Sequence, residues 1–327
     1  MHEVKYWRAF NEAVREEMRR DPTVIYMAED ARGAVGGPFA LAKGLEDEFG
    51  SDRVFDTPDS EAGFIGVAIG AALTGLRPIV DISFSDFLLV AMDQIVNQMA
   101  KIRYMTGENF AKLPIVIHTM AGAGMRAAAQ HSQSLESWFV GVPGLKLVAP
   151  SNGYDLKGIM KSAIRDDDPV IVWLHKAMLR TKVQLPDEEY LIPIGKAQIK
   201  KEGKDVTVVG ISNMVNVALS VAAKLEKEGI SVEVLDPISL SPLDKESIVA
   251  SVRKTGRLVT IHEAPKPCAL GAEVAALVLE DCYDYLEAPV RRVAGAFTPV
   301  PYSPVLEDAY LPNAARLESA VREILKQ

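Results

Sequence analysis

Short runs of β-branched residues alternate along this chain with longer runs in which apolar residues recur at about every 3.6 positions. The alternation is typical of parallel strands joined by crossover helices, and it predicts an α/β fold. In the first part of the chain it predicts helices over residues 4–20, 39–49, 58–74, 86–104 and 152–165, and strands over residues 23–27, 53–56, 78–82, 113–119, 146–149 and 170–173.

The third predicted helix has an unusual composition, because small residues dominate between Ala62 and Ala72. We expect Thr57 to cap it, with Pro58 at its first position, where a missing N–H costs nothing. An apolar helix of small residues is typical of a buried element with another backbone pressed against it.

The periodic pattern lapses in a charged stretch that contains Pro186 and Pro193. We interpret residues 181–202 as a linker between residues 1–180 and residues 203–327, and we predict a three-layer α/β/α domain on each side. The second domain has predicted strands over residues 205–209, 231–235, 258–262 and 290–293, and predicted helices over residues 213–228, 245–254, 270–286 and 314–325.

Composition narrows the possible functions. A chain of 327 residues with 48% hydrophobic and 24% charged residues is typical of a folded protein with two domains. Its net charge of −8 disfavours nucleic acid, and no apolar run is long enough to cross a membrane. The first residues do not form an export signal, and we expect Cys268 and Cys282 to be reduced in a cytoplasmic protein.

A dinucleotide enzyme is one alternative for such a chain. Residues 122–127 fit the pattern GxGxxA after a predicted strand. The next strand, however, ends without the carboxylate that would hold a ribose hydroxyl. The phosphate-loop, HExxH and GxSxG patterns are absent, and the five histidines have no metal-ligand spacing.

Three features carry candidate chemistry. Glu61 stands in the first turn of the small-residue helix, where it either complements the helix dipole or acts as a carboxylate in a dry site. His131 lies in the polar cluster at residues 130–133, which is either a hydrogen-bonded loop or a ligand site at a strand end. Phe84 and Phe87 straddle another strand end, where core packing is the ordinary role.

Taken together, these segments resemble the β subunits of thiamine diphosphate-dependent 2-oxo acid and acetoin dehydrogenases. The resemblance rests on FDTPDSEAGFIGVAIGAALTGLRPIVDISFSDF from Phe55, DQIVNQMAKIRYM from Asp93, QHSQSLESWF from Gln130, PGLKLVAPSNGYDLKG from Pro143, AIRDDDPV from Ala163, EVLDPISLSPLD from Glu233, KTGRLVTIHEAP from Lys254 and TPVPYSPVLEDAYLP from Thr298. These segments follow one another over nearly the whole chain.

The resemblance implies a pyrimidine-binding domain followed by a transketolase C-terminal-like domain. It implies thiamine diphosphate as cofactor, with Mg²⁺ ligands on an α subunit, because the expected GDG motif is absent from this chain. The complete enzyme is expected to have two α and two β chains, to act on a 2-oxo acid or acetoin, and to acylate the lipoyl arm of a dihydrolipoyl acyltransferase core.

The resemblance also implies roles for single residues. Glu61 would hydrogen-bond the aminopyrimidine ring nitrogen, Phe87 would pack on that ring, and His131 would face the substrate as a proton donor or anchor the lipoyl arm. Asp59 and Ser83 fall in the cofactor pocket, and both depart from the residues usual in the family.

Two further points follow from the resemblance. A potassium-type site is expected to use mostly backbone oxygens of Ile115, Ala163, Ile164, Asp166 and Asp168. Leu174 and His175 replace a stretch that contains Glu in relatives. The departures leave open a β-like scaffold that binds a partner but does not bind the cofactor productively.

Overall fold

The computed structural model describes residues 1–107 and 112–326. The chain divides into two compact units. Met1–Ala121 and Trp138–Ile194 form the first unit, whereas Gly122–Ser137 and the chain from Gly195 onward form the second. Sequence analysis did not anticipate that Gly122–Ser137 belongs with the second unit.

The first unit is built around a parallel sheet. Its elements are β1 (His2–Lys5), α1 (Tyr6–Arg20), β2 (Val24–Ala28), α2 (Leu45–Phe49), β3 (Val54–Asp56), α3 (Glu61–Leu73), β4 (Arg77–Phe84), α4 (Ile102–Thr106), β5 (Val116–Ala121), α5 (Ser137–Val140, which begins in the second unit), β6 (Lys146–Val148), α6 (Gly153–Arg165), β7 (Val170–His175) and β8 (Lys182–Leu185). Six of its strands are parallel and lie in the order β6-β7-β5-β4-β2-β3.

The burial of the central strands explains why the sequence pattern predicted the fold class. β2, β5 and β7 are buried along their whole length. Strands of a parallel sheet are covered on both faces by crossover helices, so they appear in the sequence as unbroken apolar runs. The predicted α/β class is therefore confirmed.

The second unit has its own mixed sheet. Its elements are β9 (Gln198–Lys201), β10 (Val206–Gly210), α7 (Met214–Glu226), β11 (Val232–Asp236), β12 (Ser239–Ser241), α8 (Lys245–Thr255), β13 (Leu258–Pro265), α9 (Leu270–Cys282), β14 (Arg291–Gly295), α10 (Pro304–Tyr310) and α11 (Ala314–Ile324). Its five-stranded sheet has the order β14-β13-β10-β11-β9, in which β9 alone pairs antiparallel. Val208, Val234 and Ile261 lie in its core, on neighbouring strands.

Two predicted helices of the first unit are shorter or less regular than expected. The helix predicted over residues 39–49 begins only at Leu45, because Ala40 and Gly44 have φ angles of 58° and 71°. A left-handed backbone cannot continue an α-helix. The helix predicted over residues 86–104 is a 3₁₀ turn at Ser85–Leu89, a π-helix at Gln94–Met99 and then α4.

Other elements also differ from the predicted boundaries. Residues 2–5 form β1, which pairs with β8, and do not form the start of the first helix. The predicted linker contains β8 and β9, two strands that the pattern did not indicate. Among the described residues, none of the helices is both long and apolar enough to cross a bilayer.

Candidate functional site

The carboxyl ends of β3, β2 and β4 position the predicted cofactor-site residues of the first unit. These strands are parallel neighbours, so their carboxyl ends lie at one edge of the sheet. Glu29 directly follows β2, Asp59 and Glu61 follow β3, and Phe87 follows β4. This edge is where open α/β sheets bind ligands.

Three carboxyl groups interact electrostatically at this edge. Burial, together with the negative charges of Glu61, Asp59 and Asp30, raises the pKa of Glu29 to about 7. Glu29 therefore exchanges a proton near neutral pH, next to two carboxylates that sequence analysis had selected. We call Glu29, Asp59 and Glu61 the acidic cluster.

Sequence analysis missed Glu29. Its position directly after the buried strand β2 was a usable signal, because strand ends of a parallel sheet carry ligands.

Glu61 is the first residue of α3 and is half-buried. The predicted cap is wrong: α3 begins three residues after Pro58, and its flanking residue Ser60 makes no side-chain capping hydrogen bond. The first-turn carboxylate of Glu61 is therefore the group that complements the positive end of this helix.

An aromatic group lies at the end of β4. The ring centroids of Phe84 and Phe87 are 6.0 Å apart in an edge-to-face arrangement, and Phe39 packs edge-on against Phe84 at 5.2 Å. The buried Lys176 ammonium lies 5.6 Å from the centre of the Phe84 ring. Phe87 is only half-buried, so part of its ring surface is open to a ligand.

Ser83 precedes this aromatic group on β4 and is buried. Within the part of the chain that the structure describes, its Oγ atom has no hydrogen-bond partner. Buried hydroxyl groups are normally satisfied, so this atom is suited to a partner from outside the chain. The departures Leu174 and His175 are buried at the end of β7, where His175 Nδ1 accepts a hydrogen bond from the Ala177 N–H at 3.2 Å.

His131 belongs to the second unit, in the segment Gly122–Ser137. It is half-buried, and its backbone N–H donates to the Ala128 carbonyl at 3.4 Å. Glu136 of the same segment is buried, and burial raises the pKa of its carboxyl group to about 7, an effect to which the charge of Glu263 adds. Sequence analysis did not select either carboxyl group.

The glycine pattern at residues 122–127 does not form a dinucleotide site. The N–H groups of Ala123 and Gly124 already donate to the carboxylates of Glu263 and Glu307, at 3.0 and 2.8 Å. Among the described residues, no helix begins directly after the glycines, so they lack the helix N-terminus that would bind a pyrophosphate.

The five residues of the predicted potassium-type site lie near one another at the start of β5 and the end of α6. Arg77 donates to the carbonyl oxygens of Ile164 and Asp166 at 3.0 and 2.9 Å, and Lys146 binds the Asp166 carboxylate at 2.7 Å. Asp168 pairs with Lys146 at 3.0 Å. Two cationic side chains thus already occupy much of this oxygen-rich region. Elsewhere in the described residues, no group of three His, Cys, Asp or Glu side chains is arranged to hold a metal ion.

Comparison with known proteins identifies both domains. Residues 2–182 match the transketolase pyrimidine-binding domain, and residues 195–317 match the transketolase C-terminal domain. The solved structure described as a split gene transketolase, inactive beta4 tetramer, has a TM-score of 0.78 and 26% identity, and the match covers 99% of this chain and 98% of that one.

Several relatives match over almost their full length. The chain is 48% identical to the acetoin:2,6-dichlorophenolindophenol oxidoreductase subunit beta of Bacillus subtilis (strain 168), over 97% of this chain and 96% of the relative. It is 43% identical to the 2-oxoisovalerate dehydrogenase subunit beta of the same organism, over 99% of each. It is 42% identical to the mitochondrial pyruvate dehydrogenase E1 component subunit beta of Dictyostelium discoideum, over 99% of this chain and 92% of the relative. The resemblance seen in the sequence is confirmed, and the chain belongs to the transketolase-like family of dehydrogenase β subunits.

Proposed function

We propose that this chain is the β subunit of a thiamine diphosphate-dependent dehydrogenase component that acts, with an α subunit, on acetoin or a 2-oxo acid. The observation that carries the proposal is the acidic cluster at the ligand-binding edge of the sheet, in a domain that matches the pyrimidine-binding family. The long alignments with acetoin, 2-oxoisovalerate and pyruvate β subunits support the reaction class.

The residues at this edge fit the aminopyrimidine end of thiamine diphosphate. A ring nitrogen needs a carboxyl group, a flat heterocycle needs an apolar face, and an amino group needs an acceptor. Glu61, the half-buried ring of Phe87 and the unsatisfied Ser83 Oγ meet these three needs, and Asp59 would lie beside them. When bound, thiamine diphosphate supplies a nucleophilic carbon that adds to a carbonyl group and takes up the electrons of the broken C–C bond.

The acidic cluster would keep a proton available near the ring nitrogen. Glu61 would hydrogen-bond that nitrogen through its carboxyl group. Glu29, with a pKa of about 7, binds a proton when its neighbours are ionised, so the cluster retains a proton near neutral pH. Asp59 would keep the pKa of Glu29 high through its negative charge.

His131 is proposed to serve the substrate and not the cofactor. A half-buried imidazole can donate a proton to the substrate oxygen or hold the lipoyl arm in place. The hydrogen bonds from Ala123 and Gly124 to buried carboxylates hold the segment that carries it within the second unit.

The α subunit is proposed to cover an exposed face of α3. Sequence analysis predicted that this helix is buried, yet Gly63, Val67 and Gly70 lie on an exposed face, and Val67 is 61% exposed. Small residues on such a face allow another backbone to approach closely.

An assembly of two α and two β chains, with Mg²⁺ and diphosphate ligands on α, would complete the site. A dihydrolipoyl acyltransferase core would then receive the acyl group.

The cellular setting is part of the proposal. Both cysteines carry free thiols, and Cys282 is buried. Free thiols are usual in a reducing compartment, which supports a cytoplasmic location.

The alternatives have less support. The departures Asp59 and Ser83 leave a scaffold without cofactor as one alternative, and it is disfavoured because Glu61 follows β3 and Phe87 follows β4 in the same sheet. A nicotinamide site is disfavoured by the occupied N–H groups of Ala123 and Gly124. The potassium-type site stays a prediction, and it is disfavoured because Arg77 and Lys146 already supply positive charge to the same oxygens.

The proposal is tested on the assembled αβ species, captured from the native host through a tag on this chain. Calorimetric titration with thiamine diphosphate and Mg²⁺ should show binding, and turnover assays with acetoin, pyruvate and branched 2-oxo acids should identify the substrate. Glu61→Gln should abolish turnover while assembly persists. Glu188→Gln, at an exposed position of the same unit, is the matched control and should retain activity. Full turnover by Glu61→Gln would refute the proposal.

A further inference from the structure

We infer that the second unit contains a binding site for a small oxyanion with at least two negative charges. A cavity of about 460 Å³ lies beside β14, and we call it the basic cavity. Lys266, Arg291, Arg292 and Arg316 line it, with Glu323 as its single carboxylate. The chain as a whole has a net charge of −8, so the local positive charge of this cavity is opposite in sign to the net charge of the protein.

The four cations of the basic cavity are not neutralised by the protein. None of them forms an ion pair with a carboxylate in the part of the chain that the structure describes. Other arginines of the same unit do, as in the pairs Arg257–Glu287 and Arg322–Glu228. The carboxylate of Glu323 accepts a hydrogen bond from Ser319 Oγ at 3.0 Å. The positive charge of the cavity is therefore available to a ligand.

Backbone contacts hold two of the guanidinium groups in place. Arg316 donates to the carbonyl oxygens of Ala294 at 2.6 Å and Leu311 at 3.2 Å, and Arg292 donates to the Lys266 carbonyl at 3.0 Å. A guanidinium group has five N–H donors, so these bonds orient it and leave donors for a ligand.

The third guanidinium group has an unsatisfied donor. The Nε atom of Arg291 is buried and has no hydrogen-bond partner among the described residues. A buried donor without a partner is unfavourable, so an acceptor from outside the chain would stabilise this arrangement.

The shape and the donor set define the ligand class. Small-molecule pockets have volumes of roughly 300–1,000 Å³, so the cavity accommodates a small organic anion. Arginine binds phosphate and carboxylate groups through two parallel hydrogen bonds, and lysine adds a point charge. Phosphate esters and polycarboxylates share this chemistry. The site is independent of the proposed cofactor site, because none of its residues takes part in that site.

The test titrates the full chain with inorganic phosphate and, separately, with citrate, by calorimetry at low ionic strength. Wild type should bind at least one of the two probes, and the tighter one identifies the ligand group. Lys266→Gln combined with Arg291→Gln should weaken binding by about tenfold or more, since charge-assisted hydrogen bonds are lost. The matched control is Arg322→Gln, which removes one ion-paired cation on α11 and should leave the affinity within about twofold.

Two results would overturn the inference. One is wild-type protein that binds neither probe, and the other is equal binding by wild type and the double variant. If the double variant unfolds, Arg291→Lys replaces it, because this change keeps the charge but removes the paired donors. Unchanged affinity in Arg291→Lys would also place the anion elsewhere.

Discussion

The carboxyl group of Asp81 and the imidazole ring of His118 lie side by side inside the parallel sheet of the first unit, with Asp81 Oδ1 3.6 Å from His118 Nδ1. The Tyr26 hydroxyl contacts both, at 3.3 Å from Asp81 Oδ2 and 3.0 Å from His118 Nε2. Burial raises the pKa of Asp81 to about 7 and lowers the pKa of His118 to about 3. Between about pH 3 and 7 both groups are therefore largely uncharged, and they do not act as an ion pair.

These two shifts have opposite effects on stability. Between about pH 4 and 7 the folded state keeps a proton on Asp81 that the unfolded state has released, so stability from this group falls as the pH rises. Between about pH 3 and 6.5 the unfolded state holds a proton on His118 that the folded state lacks, so stability from this group rises with pH. The two contributions offset each other where they overlap.

Replacement of Asp81 by Asn should expose the contribution of His118. The free energy of unfolding of the variant, minus that of wild type, should rise between pH 4.5 and 6.5 by up to about 1.4 kcal/mol per pH unit. Urea denaturation at several pH values measures this difference. A flat difference would mean that Asp81 is ionised in the folded state.

Replacement of His118 by Gln should have the opposite effect. The same difference should now fall with pH across this range, because the acid-labile contribution of the buried imidazole is gone. The Oε1 and Nε2 atoms of Gln retain hydrogen-bonding capacity toward Tyr26. A difference that rises with pH in both variants would show that the two groups do not titrate as burial predicts.

The acidic cluster provides a test in the holoenzyme. Asp59→Asn removes a negative charge that raises the pKa of Glu29, so this pKa should fall by roughly half a unit to one unit. The alkaline-side limb of the kcat/KM profile should move to lower pH by the same amount, because the cluster then loses its retained proton at a lower pH. Asp52→Asn, at an exposed position before the amino end of β3, serves as control. An unmoved profile in Asp59→Asn would separate Glu29 from the proton transfers of the reaction.

Sequence patterns predicted the parallel sheet of the first unit well, because the fully buried strands β2, β5 and β7 consist mainly of apolar residues. Glu61 stood out for a similar local reason, as a charge at the start of an apolar helix. Glu29 did not stand out. Its raised pKa depends on its burial in the folded unit and on the charges of Glu61 and Asp59, which follow a different strand.

Long-range contacts also explain why the local pattern did not indicate the grouping of Gly122–Ser137 with the second unit. Gly122–Ser137 joins the second unit through hydrogen bonds from Ala123 to Glu263 and from Gly124 to Glu307, across 140 and 183 residues of sequence. The local periodicity of apolar residues does not indicate contacts between residues so far apart in the sequence. The irregular helical stretch between β4 and β5 was missed for another reason, since 3₁₀ and π segments have apolar spacings close to that of an α-helix.

Replacement of Ser83 should affect cofactor binding but not the stability of the chain. Its buried Oγ has no partner among the described residues, so Ser83→Ala should leave the free energy of unfolding of the isolated chain within about 1 kcal/mol of wild type. The same change should weaken thiamine diphosphate binding by the assembled enzyme. Calorimetry of the αβ species and urea denaturation of the chain measure the two effects. Lost stability with unchanged affinity would assign Ser83 to the core alone.

Arg77 binds backbone oxygens that the predicted potassium site would use, so this predicted site has a direct test. Arg77 binds the carbonyls of Ile164 and Asp166 and the carboxylate of Asp167, at 3.0, 2.9 and 2.7 Å. Replacement of NaCl by KCl at constant ionic strength should therefore leave the Tm of wild type unchanged. Arg77→Ala should destabilise the chain by about 2–4 kcal/mol, because these acceptors lose their partner. A potassium-specific rise in the Tm of wild type would contradict this and favour a bound cation. A rise confined to Arg77→Ala would show that the guanidinium group takes the place of the ion.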